Sequence, residues 1–278
     1  MNTVKLWTRN FRLVILASAM GTLGSIVGGF ALAFLVFDET GSTLASALIV
    51  AIQLVPYLLL PILIAPLMDR LPRKAFLVAG DVANAILLAG MGIWLLFFEF
   101  SYVGYLAVSL LLSCLGATDE LAFTSIYPEL IPKGAEQKGY AVSSMLYPVL
   151  KVIMTPLAAV LLDAIGVAWI LIAQSILSLA AAITESFIHA EKTKQERNMP
   201  YSLRAWGEDI LEAVRYLKKE RGLRSIFGYM AVTNGVSDGF SPILVAFFRT
   251  FPGFTAAMYS AFSVVEFVGR TIGSAMQY

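Results

Sequence analysis

Apolar residues in this chain gather into about eight long stretches, each about long enough to cross a bilayer, while most charge sits in the short segments between them. The stretches run at about 11–37, 43–68, 75–98, 102–126, 140–165, 167–189, 225–248 and 255–277. Runs of this length predict membrane-spanning helices, because only a helix satisfies its own backbone in hydrocarbon. The fold class predicted is all-α, a polytopic membrane bundle. The second stretch holds Pro56, Pro61 and Pro66, which kink a membrane helix without ending it where neighbouring helices re-satisfy the freed carbonyls.

Composition agrees with the pattern. With 58% hydrophobic residues, 14% charged residues and a mean hydropathy of +0.77, the chain carries more apolar surface than a soluble domain of this length buries. Lipid is therefore its expected solvent. The net charge of +1 is informative only by its distribution. Of the 20 Lys and Arg residues, Lys151, Arg249 and Arg270 alone fall inside spans or on the side assigned to the exterior. Lys5, Arg9 and Arg12 in the tail, against Asp38 and Glu39 after the first span, predict a cytoplasmic N-terminus in a multi-pass protein of the cell membrane. The same distribution gives no basis for a nucleic-acid partner.

The lone cysteine, Cys114, lies in an apolar run and reads as packing; no internal disulfide and no cysteine metal site can be built on it. His189 marks a span end. No metal or cofactor is expected. The run after Arg12 is too long for the apolar core of a cleavable signal.

The longest polar segment, 190–223, reads as a cytoplasmic linker between an N-terminal six-helix bundle, 1–189, and a second region, 224–278, holding two further helices. Within it Leu203, Trp206, Ile210, Ala213, Val214 and Leu217 recur at helical spacing, with Ser202 as N-cap and Gly222 as stop. Acidic Glu208, Asp209 and Glu212 precede basic Arg215, Lys218 and Lys219, the order a helix dipole favours. This helix is expected to lie on the inner leaflet, as a spacer of the two regions or as a surface for a partner.

The turn Ala65-Pro-Leu-Met-Asp69-Arg70-Leu-Pro72-Arg73-Lys74 resembles the signature loop of the major facilitator superfamily, Gly-x-Leu-Ala-Asp-Arg-x-Gly-Arg-Lys. Leu67, Asp69, Arg70, Arg73 and Lys74 match, while Ala65, Met68 and Pro72 depart from it. Its place after the second span is also the family's. Pro128-Glu-Leu-Ile-Pro132 with Ala141-Val-Ser143-Ser144, Asn10-Phe11-Arg12 and Thr40-Gly41-Ser42 are similar to the drug and macrolide exporter branch. Only Thr155-Pro156 remains of the antiporter signature of the fifth span, and the fourth span lacks the arginine that the family associates with proton coupling. The family has twelve spans in two halves, so the resemblance implies a complete first half, the first two helices of the second, and a missing C-terminal remainder.

The resemblance implies transport by rocking of two halves about a midplane site, so polar groups within spans are the candidates for substrate or proton work. Asp119 and Glu120 lie about 10 Å in from the end of the fourth span and point about 100° apart, so one of them faces a cavity squarely. Lys151, about 16 Å into the fifth span, either pairs with one of those carboxylates or snorkels to the interface. Asn234 and Asp238 sit among glycines and Pro242, a segment expected to interrupt the seventh span and free backbone groups for binding. Glu266 and Arg270 are spaced for an intrahelical ion pair, with Glu266 also a coupling candidate. Asp81 is assigned with Asp69, Arg70, Arg73 and Lys74 to a cytoplasmic gate. Gly24 and Gly28 form a small-residue step for close helix contact, and Pro156, like Pro56, is a kink position.

The resemblance implies a secondary transporter that exports hydrophobic or amphipathic small molecules such as drugs or macrolides, with protons as coupling ion and the bilayer as its surroundings. The scarcity of charge in the first two spans points the same way about substrate. A truncated, non-transporting membrane protein, or half of a split transporter, is the alternative. An enzyme is not expected: there is no paired histidine, no phosphate-binding glycine loop and no Ser-His-Asp set.

Overall fold

The computed structural model describes residues 5–68, 72–189 and 203–253, with 258, 262, 265, 266, 268 and 269 beyond them. Among the described residues there is no strand. The helices are α1 (Arg9–Thr40), α2 (Thr43–Met68), α3 (Arg73–Phe97), α4 (Tyr102–Leu130), α5 (Glu136–Ser186), α6 (Leu203–Lys219) and α7 (Arg221–Thr250). They fall into two compact units, residues 1–202 and 203–278.

Local chemistry sets the helix ends of the first unit. The Thr8 hydroxyl accepts from the Phe11 amide, the Ser42 hydroxyl from Ala45 and the Ser101 hydroxyl from Gly104, each at 3.3 Å, so three helices open on a side-chain cap. Gly41, with φ of +60°, turns the chain between α1 and α2. Until that residue nothing breaks the helix, so Asp38 and Glu39, expected in a loop, ride on the last turn of α1. The fourth helix likewise continues past the expected end at 126, through Pro128 to Leu130.

α5 is 51 residues long because two helices meet end to end with no loop between them. Gly166 takes φ 76° and ψ 169°, a conformation essentially restricted to glycine, and it divides α5 into a first arm, 136–165, and a second arm, 167–186. The fifth and sixth predicted spans are these two arms.

Two apolar clusters hold opposite ends of the first unit. One gathers Phe11 and Val14 from the start of α1, Met68 from the end of α2, Leu77 from α3, Ile126 and Tyr127 from α4, and Ile188 after α5. The other gathers Val36, Ile49, Met91, Tyr105 and Leu171. Helix starts and ends thus alternate between the two ends, as an up-and-down bundle of six segments requires. α5 is the hub, packing against α1 and α3, while α2 packs against α4.

Six segments of this unit are long and apolar enough to cross a membrane. Only 11% of the apolar stretch Ala51–Met68 and 6% of Glu136–Ala158 is buried. Exposed side chains such as Leu54, Leu58, Ile62, Ile153 and Val160 leave a surface that water solvates poorly and lipid solvates well. The molecule is an all-α membrane helical bundle.

In the second unit, α6 is strongly amphipathic, and the chain turns at Glu220, whose backbone is extended at φ −83° and ψ 94°. Gly222, expected to stop α6, lies instead in the first turn of α7. α7 then runs unbroken through Gly235, Gly239 and Pro242, so the interruption expected around Asn234 and Asp238 does not occur. Of the two spans expected in this region, that at 225–248 falls on α7, which is not among the described helices long and apolar enough to cross a membrane, and that at 255–277 lies largely outside the described residues.

Candidate functional site: buried carboxyls and the fastened end of the six-helix unit

Three acidic side chains from three helices lie together inside the first unit. Asp81 of α3 and Asp119 of α4 are electrostatic neighbours, and Glu185, from the last turn of α5, interacts with both. Glu185 is only 5% exposed, and its Oε2 and the Oδ1 of Asp119 have no hydrogen-bond partner among the described residues. The arrangement brings three proton-binding side chains into electrostatic reach of one another, with two of their oxygens buried and unpartnered among the described residues. No group of His, Cys, Asp or Glu among the described residues is arranged to hold a metal ion.

A polar seam continues from the acids between α3 and the second arm of α5. Asn84 Nδ2 donates to Ser178 Oγ at 3.2 Å, and Ser175 Oγ donates to the Ala85 carbonyl at 2.7 Å. On the α1 side of the same arm, Gln174 occupies the notch formed by Gly24 and Gly28. A Cβ built on Gly28 would stand 1.7 Å from Gln174 Oε1, and one on Gly24 would stand 2.9 Å from its Cγ. That oxygen is also buried without a partner among the described residues.

Glu120, next to Asp119, points away and is exposed. The Tyr57 hydroxyl of α2 closes over Gly116 of α4, 2.5 Å from where a Cβ would be, and is an electrostatic neighbour of Asp119 and Glu120. Lys151 pairs with neither of these acids: its Nζ stands 5.6 Å from the centre of the Tyr147 ring, on the exposed face of the first arm of α5. Pro56 and Pro156 lie inside continuous helices.

At the end of the bundle where the chain begins, Arg73 Nη1 donates to the Ser125 carbonyl at 2.8 Å and to Glu129 Oε1 at 2.7 Å. Lys74 Nζ donates to the Ser186 carbonyl. Asn10 Nδ2 donates to the His189 carbonyl at 2.7 Å, and the His189 amide returns a bond to Asn10 Oδ1 at 3.2 Å. Asp81, expected to join this basic turn, is coupled to acids, and to no cation among the described residues.

Asp69, Arg70 and Arg270 lie outside the described residues, as do the side chains of Asn234 and Asp238. Glu266 is an exposed helical residue. Sequence reasoning missed Glu185 and Gln174. Glu185 reads as a span boundary by position, yet Ser175, Ser178 and Glu185 fall on one face at helical spacing, a signal that was present.

Residues 13–277 match the family model described as Major Facilitator Superfamily. No curated protein matches the chain, and no solved structure does.

Proposed function

Because this chain belongs to the major facilitator superfamily, whose members move small molecules across membranes, we propose that it is a secondary transporter exporting hydrophobic or amphipathic compounds, of the drug or macrolide kind, by alternating access. One observation carries the substrate class. α1 from Leu13 to Phe37 and all of α2 contain no charged residue, so a polar solute would find no ionic partner along them. Desolvating such a solute against these helices costs free energy that nothing there offsets.

Protons are the coupling ion in this reading, held by the Asp81, Asp119 and Glu185 carboxyls. Asp119 is the member nearest to Tyr57 and Glu120, and it links the acids to the region between α2 and α4. Arg73 and Lys74 serve the gate by fastening the α2–α3 turn to α4 and α5, with Asp69 and Arg70 completing it. Asn234, Asp238 and Glu266 supply polar groups from the second region. The chain is organised as a six-helix bundle, 1–189, a linker, 190–223, and the opening helices of a second bundle, 224–278, with the N-terminus on the cytoplasmic side of the cell membrane.

Reconstituted vesicles test the reading. A lipophilic fluorescent cation should move across the membrane at a rate set by an imposed proton gradient. Movement of a sugar or an organic anion, with none of the lipophilic dye, would overturn it.

A further inference from the structure

The elbow between α6 and α7 concentrates charge more than any other described segment. Within 215–224, Arg215, Lys218, Lys219, Arg221 and Arg224 stand against a single acid, Glu220. All five cations are exposed, and none forms an ion pair with a described residue. Two of them fall in the first turn of α7, where there is no acidic residue.

The apolar stripe of α6 runs into this cluster. Val214 and Leu217 are 39% and 37% exposed, so the stripe lacks a full cover within its own unit. Lys218 follows Val214 by four residues and Arg215 precedes Lys218 by three, which places both cations along one flank of the stripe. Their aliphatic stems can lie on an apolar surface while the charged ends reach its polar edge. An apolar stripe flanked by cations matches the acyl and headgroup layers of a bilayer carrying negative lipids.

We propose that the α6–α7 elbow is a binding site for anionic phospholipid, with the apolar face of α6 in the interface and Arg215, Lys218, Lys219, Arg221 and Arg224 gathering the phosphate groups. This rests on the reading of 190–223 as a segment beside the membrane, and is independent of what the protein transports. Each cation near such a surface contributes about a fivefold preference, the equivalent of roughly 1 kcal/mol.

The full chain in nanodiscs of phosphatidylcholine, with and without phosphatidylglycerol, tests this by two readouts. Native mass spectrometry should show phosphatidylglycerol retained over phosphatidylcholine, and hydrogen exchange should slow across 207–219 only when phosphatidylglycerol is present. Combined K218Q, K219Q, R221Q and R224Q should reduce the retention by about tenfold or more, while K133Q with K138Q, which removes cations from the α4–α5 turn, should reduce it much less. Raising the salt concentration should weaken retention by the unmodified protein, a measurement that needs no variant to fold. Equal retention of both lipids, an equal loss in the Lys133 and Lys138 variant, or protection of α6 by soluble phosphate without anionic lipid would overturn the proposal. Loss of transport with lipid retention intact would strike only the proposed function.

Discussion

The Gln174 side chain fills a notch in α1 that exists because residue 28 has no side chain: its Oε1 lies 1.7 Å from the place a Cβ on Gly28 would take. A small residue on one helix and an amide on the other let α1 and the second arm of α5 approach closely. Gly28→Ala should therefore destabilise the bundle by about 1–3 kcal/mol, as overpacking does. Gly21→Ala should be tolerated, since nothing stands within 4 Å of that position. Combining Gly28→Ala with Gln174→Ala should restore stability, and thermal unfolding in detergent would show whether it does.

Gly166 permits the two arms of α5 to meet without a loop. Gly166→Ala places a Cβ at φ 76° and ψ 169°, with an expected cost of about 1–3 kcal/mol. The midpoint of thermal unfolding should fall for this variant and hold for Gly90→Ala, which has open space around it.

The Arg73–Glu129 pair is 19% and 36% exposed, so its direct electrostatic contribution is small, about 1 kcal/mol or less. The larger effect is local. Arg73→Lys replaces the single guanidinium nitrogen, Nη1, that donates to both Ser125 O and Glu129 Oε1 with an ammonium on a shorter, more flexible stem. Hydrogen exchange at 125–130 should accelerate in Arg73→Lys and Arg73→Ala alike. Unchanged exchange in Arg73→Lys would mean that charge alone fastens this end.

Glu185→Gln and Asp119→Asn test the proposed proton coupling separately from substrate movement. Each keeps the size of the side chain and removes its proton-binding site. Both should retain exchange of labelled for unlabelled substrate with no gradient present, and lose uphill export driven by a proton gradient. Retained uphill export in both variants would remove the acid trio from the mechanism.

Lys151→Met should leave export within about twofold of the unmodified protein, since the ammonium lies over Tyr147 and contributes only a surface cation–π contact. A large loss of export would assign Lys151 a role that its position does not suggest.

The six spans of the first unit were legible because hydropathy reads length directly: the predicted 43–68 coincides with α2, and the predicted turn at 166 with the glycine that divides α5. Helix ends were less legible. Hydropathy marks where apolar character stops, whereas a helix stops where its backbone is broken, so Asp38 and Pro128 proved helical. The buried polar groups divide in the same manner. Asp119 stands out in sequence as a charge within an apolar run. Glu185 lies at the end of a span, and its electrostatic neighbours Asp81 and Asp119 come from other helices, which one helix's pattern does not record. Lys151 is the converse case: mid-span by position, it faces outward because the first arm of α5 exposes that side.

The reciprocal bonds between Asn10 and His189 have a consequence for biosynthesis. The first helix is clasped by a residue 179 positions later, so this fastening forms only once the ribosome has delivered His189. Until then Phe11 lacks the late-emerging Ile188 from its pocket, and the base of the nascent bundle is left without its last apolar side chain.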